Sequence, residues 1–277
     1  MQSIRPFRTL VATLAVGASA ACSTGTSTTK LQAGTRTDTG TDRAAPAASA
    51  VAKEAGPSGQ PPPLTQNVTI HVAGDSTAAI FPATDPAARV GWAAVLQQFF
   101  AQGVQVDDAA MSGRSSKSFI DEGFWASLKA RIQPGDYVFI GFGHNDEKPD
   151  PARHTDPAGT FRDYLKTYIG ETRAAGGFAV LLTPISRRKF EGSALSPTHG
   201  EYPAAILEVA RETGTPVIDL TEKTRALLEK LGPEATVPLF ALNDNTHLSA
   251  LGAPEVAKLA VEGIRELRLP LVEKLAH

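Results

Sequence analysis

The chain has 277 residues, and its 27 lysines and arginines nearly balance its 29 acidic residues, leaving a formal net charge of −2. This balance, without a large basic cluster, argues against a nucleic-acid groove or a polybasic membrane patch. The roughly sixty N-terminal residues differ in composition from the rest. About two hundred residues remain for one α/β domain, which is enough for a sizeable core.

Residues 1–22 have the pattern of a secretory signal. Arg5 and Arg8 precede an apolar run that is too short to span a bilayer. Cys22, the only cysteine, follows small residues and resembles the lipidated cysteine of a bacterial lipobox, although residues 18–20 would serve equally well as an ordinary cleavage site. We therefore expect an exported bacterial protein. It would be an outer-membrane or periplasmic lipoprotein if Cys22 is lipidated, and otherwise a secreted protein.

Residues 23–64 are predicted to form a disordered linker. They are mostly Ser, Thr, Gly, Ala and Pro, and such a segment buries too little apolar surface to offset the entropy of the chain. If Cys22 is lipidated, the linker would act as a tether between a membrane and residues 65–277, which are predicted to form the folded domain.

Apolar runs and amphipathic stretches alternate along the predicted domain, without an internal repeat. The predicted strands are Val68–Ala73, Val104–Asp107, Asp136–Phe142, Phe178–Thr183 and Pro216–Leu220. The predicted helices lie around Arg89–Ala101, Phe124–Ile132, Pro157–Ala175, Tyr202–Glu212, Thr221–Leu231 and Pro254–Arg268. Strands that are each followed by a helix imply a parallel sheet covered on both faces. The fold class is therefore α/β, with a single three-layer α/β/α domain around a five-stranded parallel sheet.

The first strand ends at Gly74 and is followed by Asp75, Ser76 and Thr77. Ligands and chemistry collect at the carboxyl ends of the strands in open α/β sheets, so Ser76 is a candidate nucleophile. The alternative is that Ser76 or Thr77 caps a following helix.

Three further polar loops follow strands or precede the last helix, over residues 110–116, 141–146 and 244–249. A serine hydroxyl needs a histidine to take its proton, and the histidine needs a carboxylate to orient it. His247 and Asp244, three residues apart, can supply both groups. Gly113 and Asn145, together with the Ser76 N–H, are candidate donors to a developing oxyanion.

These motifs occur in the order of the four blocks of the SGNH (GDSL-type) hydrolases, which they resemble. The blocks are Gly74-Asp75-Ser76, Gly113, Gly143-His144-Asn145-Asp146 and Asp244-x-x-His247. Longer runs are similar to the rhamnogalacturonan acetylesterase subgroup, namely GDSTAA, GRSSKSF, FGHND, TPISRRKF and DNTHLSALGA. The resemblance covers nearly everything from Val68 to about Glu266 and implies a flavodoxin-like SGNH fold.

The resemblance implies that Ser76 is the nucleophile, His247 the base and Asp244 its orienting partner. It also implies an oxyanion hole formed by the Ser76 and Gly113 N–H groups and the Asn145 side chain, with no metal and no cofactor. The implied partner is an acetylated polysaccharide or oligosaccharide of the pectin or rhamnogalacturonan type, acted on by a monomer. Residues 108–111 depart from the asparagine-rich pattern of related sequences, so acetyl xylan or a broader range of carbohydrate esters is an alternative substrate.

Several other residues have two interpretations. His144 is predicted to make a structural hydrogen bond. His199 either contacts substrate or belongs to an ordinary turn. Arg187 begins a basic run over residues 187–189 that either meets uronate carboxylates or forms a solvated face. His71 is predicted to be a buried residue with satisfied nitrogens, and both tryptophans are predicted to lie in the core.

Rival functions fit the sequence less well. A two-metal phosphoesterase would lack ligands, since no D-x-H or G-H-x-H motif accompanies residues 143–146. A dinucleotide site would place the charge of Asp146 where a third glycine is needed. The alternative outside enzymology is a non-catalytic carbohydrate-binding lipoprotein, which would not need Asp244 and His247 beside Ser76.

Overall fold

The computed structural model of the protein describes residues 61, 64 and 67–276. The predicted signal, Cys22 and all but two residues of the predicted linker lie outside the described residues. A five-stranded parallel sheet lies at the centre of the fold. Its strands are β1 (Val68–Gly74), β2 (Val104–Asp108), β3 (Tyr137–Gly141), β4 (Phe178–Leu182) and β7 (Val217–Ile218). They lie in the order β2-β1-β3-β4-β7. A short antiparallel ribbon is formed by β5 (Phe190–Glu191) and β6 (Ala194–Leu195).

Helices cover both faces of the sheet, as predicted for an α/β fold. They are α1 (Ser116–Asp121), α2 (Phe124–Lys129), α3 (Thr160–Ala174), α4 (Tyr202–Thr213), α5 (Leu220–Leu231) and α6 (Gly252–Glu266). One core cluster includes Trp92 and residues of α6, and the other includes Trp125 and residues of α3 and α4. Both tryptophans are buried, which confirms their predicted place in the core. None of the helices in the described part of the chain is long and apolar enough to cross a membrane.

The strand that carries Ser76 at its end is buried on both faces except at Thr69. A continuous β-branched run is typical of a parallel strand flanked by helices on both sides. Its one buried histidine, His71, is satisfied as predicted, because its Nδ1 lies 2.7 Å from Asp107 Oδ2 and its Nε2 lies 3.1 Å from Asp136 Oδ2. These contacts tie β1 to β2 and to the start of β3.

The predicted helix over residues 89–101 is instead a short 3₁₀ helix, Ala93–Phe99. Tertiary contacts hold both of its ends: the Trp92 N–H donates to Thr77 O, and Phe100 pairs with Leu275. Between them, the Gln97 amide bonds to the backbone of β2, at Val104 O and Val106 N. The segment is thus hydrogen-bonded to β2, the edge strand of the sheet, and does not form a regular α-helix.

Two other differences between the predicted and the observed elements result from helix capping. The predicted strand over residues 216–220 is only two residues long, because Asp219 caps α5 by accepting the Glu222 N–H. Sequence analysis missed α1, which begins with a reciprocal capping box between Ser115 and Ser118.

Gly252, the first residue of α6, fixes how this helix approaches the segment before Asp244. A Cβ at this position would lie 1.9 Å from the carbonyl oxygen of Leu239. That oxygen also accepts the Ser249 N–H, so it belongs to the loop that carries His247. The space beside Gly252 is therefore needed for the backbone of this loop.

We expect Gly252→Ala to lower the free energy of unfolding by about 1–3 kcal/mol, because the backbone must shift to relieve the clash. The melting temperature should fall by about 2–4 °C for each kcal/mol lost. The matched control is Gly170→Ala, since Gly170 lies exposed within α3 with open space around it. This control should be more stable by about 0.5–1 kcal/mol. Equal melting temperatures for the two variants would contradict the role given to Gly252.

Candidate active site

The turn after β1 presents Ser76 without using its hydroxyl for capping. The carboxylate of Asp75 caps the turn, accepting the Thr77 N–H at 2.9 Å and the Thr77 hydroxyl at 2.8 Å. Because no helix begins within this turn, the alternative role of Ser76 or Thr77 as a helix cap is wrong. The Ser76 hydroxyl is therefore available for another partner.

A chain of hydrogen-bond contacts joins Ser76 to the loop before α6. Ser76 Oγ lies 2.9 Å from His247 Nε2, and His247 Nδ1 lies 2.6 Å from Asp244 Oδ2. The other carboxylate oxygen of Asp244 accepts the N–H groups of Thr246 and His247. The structure thus brings together the three side chains that the sequence singled out, in the order in which a proton relay needs them.

The hydrogen bonds around Asp244 favour its charged form. Partial burial acts to raise the pKa of this carboxyl, but the bonds from the His247 ring and from two backbone N–H groups outweigh it and hold the pKa below its usual range. A carboxylate that stays ionised can fix the orientation of the imidazole. Phe81 contacts the His247 ring edge-on, with 6.5 Å between the ring centroids.

Three potential donors lie on neighbouring loops. The backbone N–H groups of Ser76 and Gly113 have no acceptor among the described residues. Gly113 has φ = +81°, a conformation that favours glycine, in the turn between β2 and α1. One Asn145 amide hydrogen is donated to Arg114 O at 3.0 Å, and the second has no acceptor in the described part of the chain.

Asp146 fixes the loops of Gly113 and Asn145 relative to each other. Its buried carboxylate accepts the Ser116 hydroxyl at 2.5 Å, the Gly143 N–H at 3.1 Å and the Thr155 hydroxyl at 3.0 Å. Burial raises the pKa of Asp146 to about 6, although these hydrogen bonds oppose the shift. The group is thus mostly ionised at neutral pH, in the form that can accept from all its donors.

The predicted structural hydrogen bond of His144 is absent. Both ring nitrogens are buried without a partner among the described residues, and the ring packs edge-on against His199, with 4.4 Å between the centroids. Burial, reinforced by nearby positive charges, lowers the pKa of His144 well below its usual value, so the ring is neutral. The sequence could not reveal this environment, because it is formed by a loop more than fifty residues away.

Of the two interpretations that the sequence leaves open for His199 and for Arg187, a role in contacting substrate is not supported by the structure, which places both side chains in a largely buried cluster. His199 is buried, its Nε2 donates to Ile185 O at 2.9 Å, and its Nδ1 lies 3.2 Å from the Glu147 carboxylate. Arg187 donates to Glu147 Oε1 at 2.5 Å, and its side chain is only 13% exposed. Partial burial of Glu147 acts to raise the pKa of its carboxyl, but the hydrogen bonds and charges of His199 and Arg187 outweigh burial and lower that pKa. This cluster supports the loop that follows β3.

Two surface grooves border the candidate site. The larger, of about 770 Å³, extends from Asp244 past Arg188 and Val237. The smaller, of about 460 Å³, lies between Phe81 and the loop before Gly113. Neither groove is predictable from the sequence, because each one combines segments that are distant in the chain. No cluster of three or more potential metal ligands occurs within the described residues.

Asp108 lies beside the smaller groove. Its Oδ1 accepts the Ala110 N–H at 3.0 Å, whereas its Oδ2 is buried and has no partner among the residues that the structure describes. Burial raises the pKa of Asp108 to about 7, and the neighbouring Asp107 adds to the shift. The side chain thus supports the backbone of the loop that contains Gly113.

Comparisons with known proteins show which proteins the chain resembles. Residues 72–253 match the model of the GDSL-like Lipase/Acylhydrolase family. The chain is 41% identical over 226 residues to rhamnogalacturonan acetylesterase RhgT of Bacillus subtilis (strain 168), and the match covers 76% of this chain and 96% of the relative. It is 37% identical over 211 residues to the probable rhamnogalacturonan acetylesterase YesY of the same organism, covering 74% and 96% of the two chains.

A solved structure shares the fold. The crystal structure of protein YxiM from Bacillus subtilis matches with a TM-score of 0.67 and 30% identity. The match covers 73% of this chain and 57% of YxiM, so the chain spans little more than half the length of that protein. These similarities confirm the predicted fold and the resemblance that the four motifs indicated.

Proposed function

Since the chain belongs to the GDSL-like lipase/acylhydrolase family and is a carboxylic ester hydrolase, we propose that it removes acetyl groups from a pectic polysaccharide of the rhamnogalacturonan type. The contact of Ser76 with His247, and of His247 with Asp244, is the observation that carries the chemistry. The substrate is supported by the names of the relatives RhgT and YesY, which this chain covers almost completely.

In the proposed mechanism, Ser76 Oγ attacks the acetyl carbonyl while His247 Nε2 takes the hydroxyl proton. Asp244 holds the Nδ1–H and stabilises the imidazolium that forms. The tetrahedral intermediate collapses as His247 returns the proton to the sugar oxygen, which leaves an acetyl-serine. Water, activated by the same histidine, then releases acetate. All of these groups come from one chain, so we propose that a monomer suffices.

We propose that the Ser76 and Gly113 N–H groups and the free Asn145 amide hydrogen form the oxyanion hole. Two facts support this role: the two N–H groups lack acceptors among the described residues, and Asn145 is oriented by its bond to Arg114 O. The buried Asp146 connects the two loops, so the donors would be held in place before the reaction begins. Such preorganisation is what makes a hydrogen-bond donor effective in the transition state.

Acetate release tests the substrate directly. The purified protein should release acetate from acetylated rhamnogalacturonan faster than from acetylated xylan, with acetylated homogalacturonan as a third substrate. Faster release from xylan would favour the alternative carbohydrate esterase. Carbohydrate binding without acetate release, and without fluorophosphonate labelling of Ser76, would favour a non-catalytic binding protein.

We further propose that the protein is exported and that Cys22 carries a lipid anchor, based on Arg5, Arg8 and the apolar run before Cys22. In that case Cys22→Ala should move the protein from the membrane fraction to the soluble fraction of its bacterial host, without changing activity per molecule. A wild-type protein that is already soluble in the host would contradict the anchor and favour cleavage within residues 18–20.

Ser76 and His247 are expected to act as a unit. Either Ser76→Ala or His247→Ala should lower kcat for ester hydrolysis by about 10⁴-fold or more, and the double variant should lose little beyond that. Rates with p-nitrophenyl acetate and circular dichroism of all three variants would measure this. Losses that multiply in the double variant would mean that the two residues do not share a mechanism.

Asn145→Ala should lower kcat by about 10²–10³-fold with little change in KM, because the amide is proposed to bind charge that develops only in the transition state. Steady-state kinetics on acetylated oligosaccharides would separate the two constants. If KM rose while kcat stayed constant, Asn145 would instead be a substrate-binding residue.

A further inference from the structure

The larger groove beside Asp244 has the size and composition of a carbohydrate subsite. Its volume of about 770 Å³ falls within the usual range for ligand pockets, about 300–1,000 Å³. Two apolar side chains on its wall face solvent, since Leu242 is 77% and Val237 50% exposed. Asn243 and Asn245 add amides to the same wall. Apolar surface beside amides suits a sugar ring, which presents C–H faces and hydroxyl edges.

Arg188 supplies a positive charge in this groove that none of the described acidic residues pairs with. No carboxylate of the described residues lies within ion-pair distance of it. Within the part of the chain that the structure describes, its Nε is buried without a partner, and its Nη1 reaches only Pro233 O, at 3.4 Å. The adjacent Arg187, by contrast, is paired with Glu147. A ligand that supplies an acceptor to the guanidinium group would therefore give this charge the partner that the described residues do not provide.

The backbone holds Arg188 next to the catalytic loop. The Arg188 N–H donates to Asn245 O at 2.7 Å, and Asn245 directly follows Asp244. The planar guanidinium group matches a carboxylate, with which it forms two parallel hydrogen bonds. A carboxylate bound here would belong to a part of the substrate adjacent to the ester that reacts with Ser76.

We propose that Arg188 is a specificity-determining residue that binds the carboxylate of a uronic acid unit close to the reacting ester. This inference rests on the proposed function and deepens it. It states that the enzyme prefers acidic to neutral polysaccharides, and it assigns this preference to one side chain. The apolar wall around Leu242 would contact the sugar ring of the same unit, while Arg188 would bind its carboxylate.

The first test compares Arg188→Gln with the wild type on acetylated rhamnogalacturonan oligosaccharides, which carry uronate, and on acetylated xylo-oligosaccharides, which are neutral. The selectivity for the acidic substrate, measured as a ratio of kcat/KM values, should fall about tenfold, mainly through a higher KM. Added salt should raise KM for the acidic substrate in the wild type but much less in the variant, because a charge pair near the surface is screened.

Two further variants separate charge from packing. Arg211→Gln removes the same charge from a groove that Phe178 and Val217 border, at the opposite end of the strands, and should leave the selectivity ratio unchanged. Arg188→Lys keeps the charge without the planar fork and should give an intermediate KM. If Arg188→Gln lowered kcat/KM equally on both substrates, the side chain would act through packing and the proposal would be wrong.

A binding measurement keeps this inference separate from the proposed reaction. The full-length Ser76→Ala protein should bind unesterified oligogalacturonide, measured by titration calorimetry, and adding Arg188→Gln should weaken that binding about tenfold. Failure of the wild type to release acetate from any carbohydrate would overturn the proposed function without affecting this measurement. Equal affinity of the single and double variants for oligogalacturonide would overturn the role of Arg188.

Discussion

The contact between Ser76 Oγ and His247 Nε2 is the constraint on which the rest of the structure depends, because it joins residues 171 positions apart. Each partner comes from a short loop whose direction is set by the end of a buried element. Parallel pairing between β1 and β3 fixes the first, and the close approach of Gly252 to Leu239 fixes the second. A shift of about 1 Å at either end would break a 2.9 Å contact. The core therefore affects the reacting side chains by fixing the position of their backbone, and not by contacting these side chains directly.

Buried polar groups behind the site serve the same purpose at an energetic cost. Ionised Asp146 accepts from two loops, and the ion pair of Arg187 with Glu147 supports a third segment. Removing a carboxylate from water is expensive unless several donors compensate it, and at Asp146 several do. His144 is the exception, since it is buried and neutral with neither nitrogen paired among the described residues. Its edge-on packing against His199 fills space between the loops without adding a charge near His247.

The sequence was sufficient for the features set by local pattern. Buried β-branched runs revealed the five strands, and the residues directly after them supplied Ser76, Gly113 and Asn145 as candidates. Features that depend on distant segments were not predictable: the 3₁₀ segment near Trp92 is held by Thr77 and Leu275, and the environment of Arg188 depends on the loop at Asn245. For the same reason, the sequence leaves a substrate contact open for His199, whereas in the structure its ring nitrogens lie against Ile185 and Glu147.

Buried residues carry the proposed chemistry, whereas exposed residues around the site are the ones that can select a substrate. An acetyl ester is small, so the proposed triad and the proposed oxyanion donors can lie close together in a confined space, where Ser76 is only 7% exposed. A polymer must instead be recognised over a longer surface, and here the rim offers Leu242 and Arg188 on one side and Phe81 on the other. Rim residues can change without moving β1 or α6, because few of them are part of the core. Members of one family can therefore keep the same reaction centre while the grooves beside it select different ester substrates.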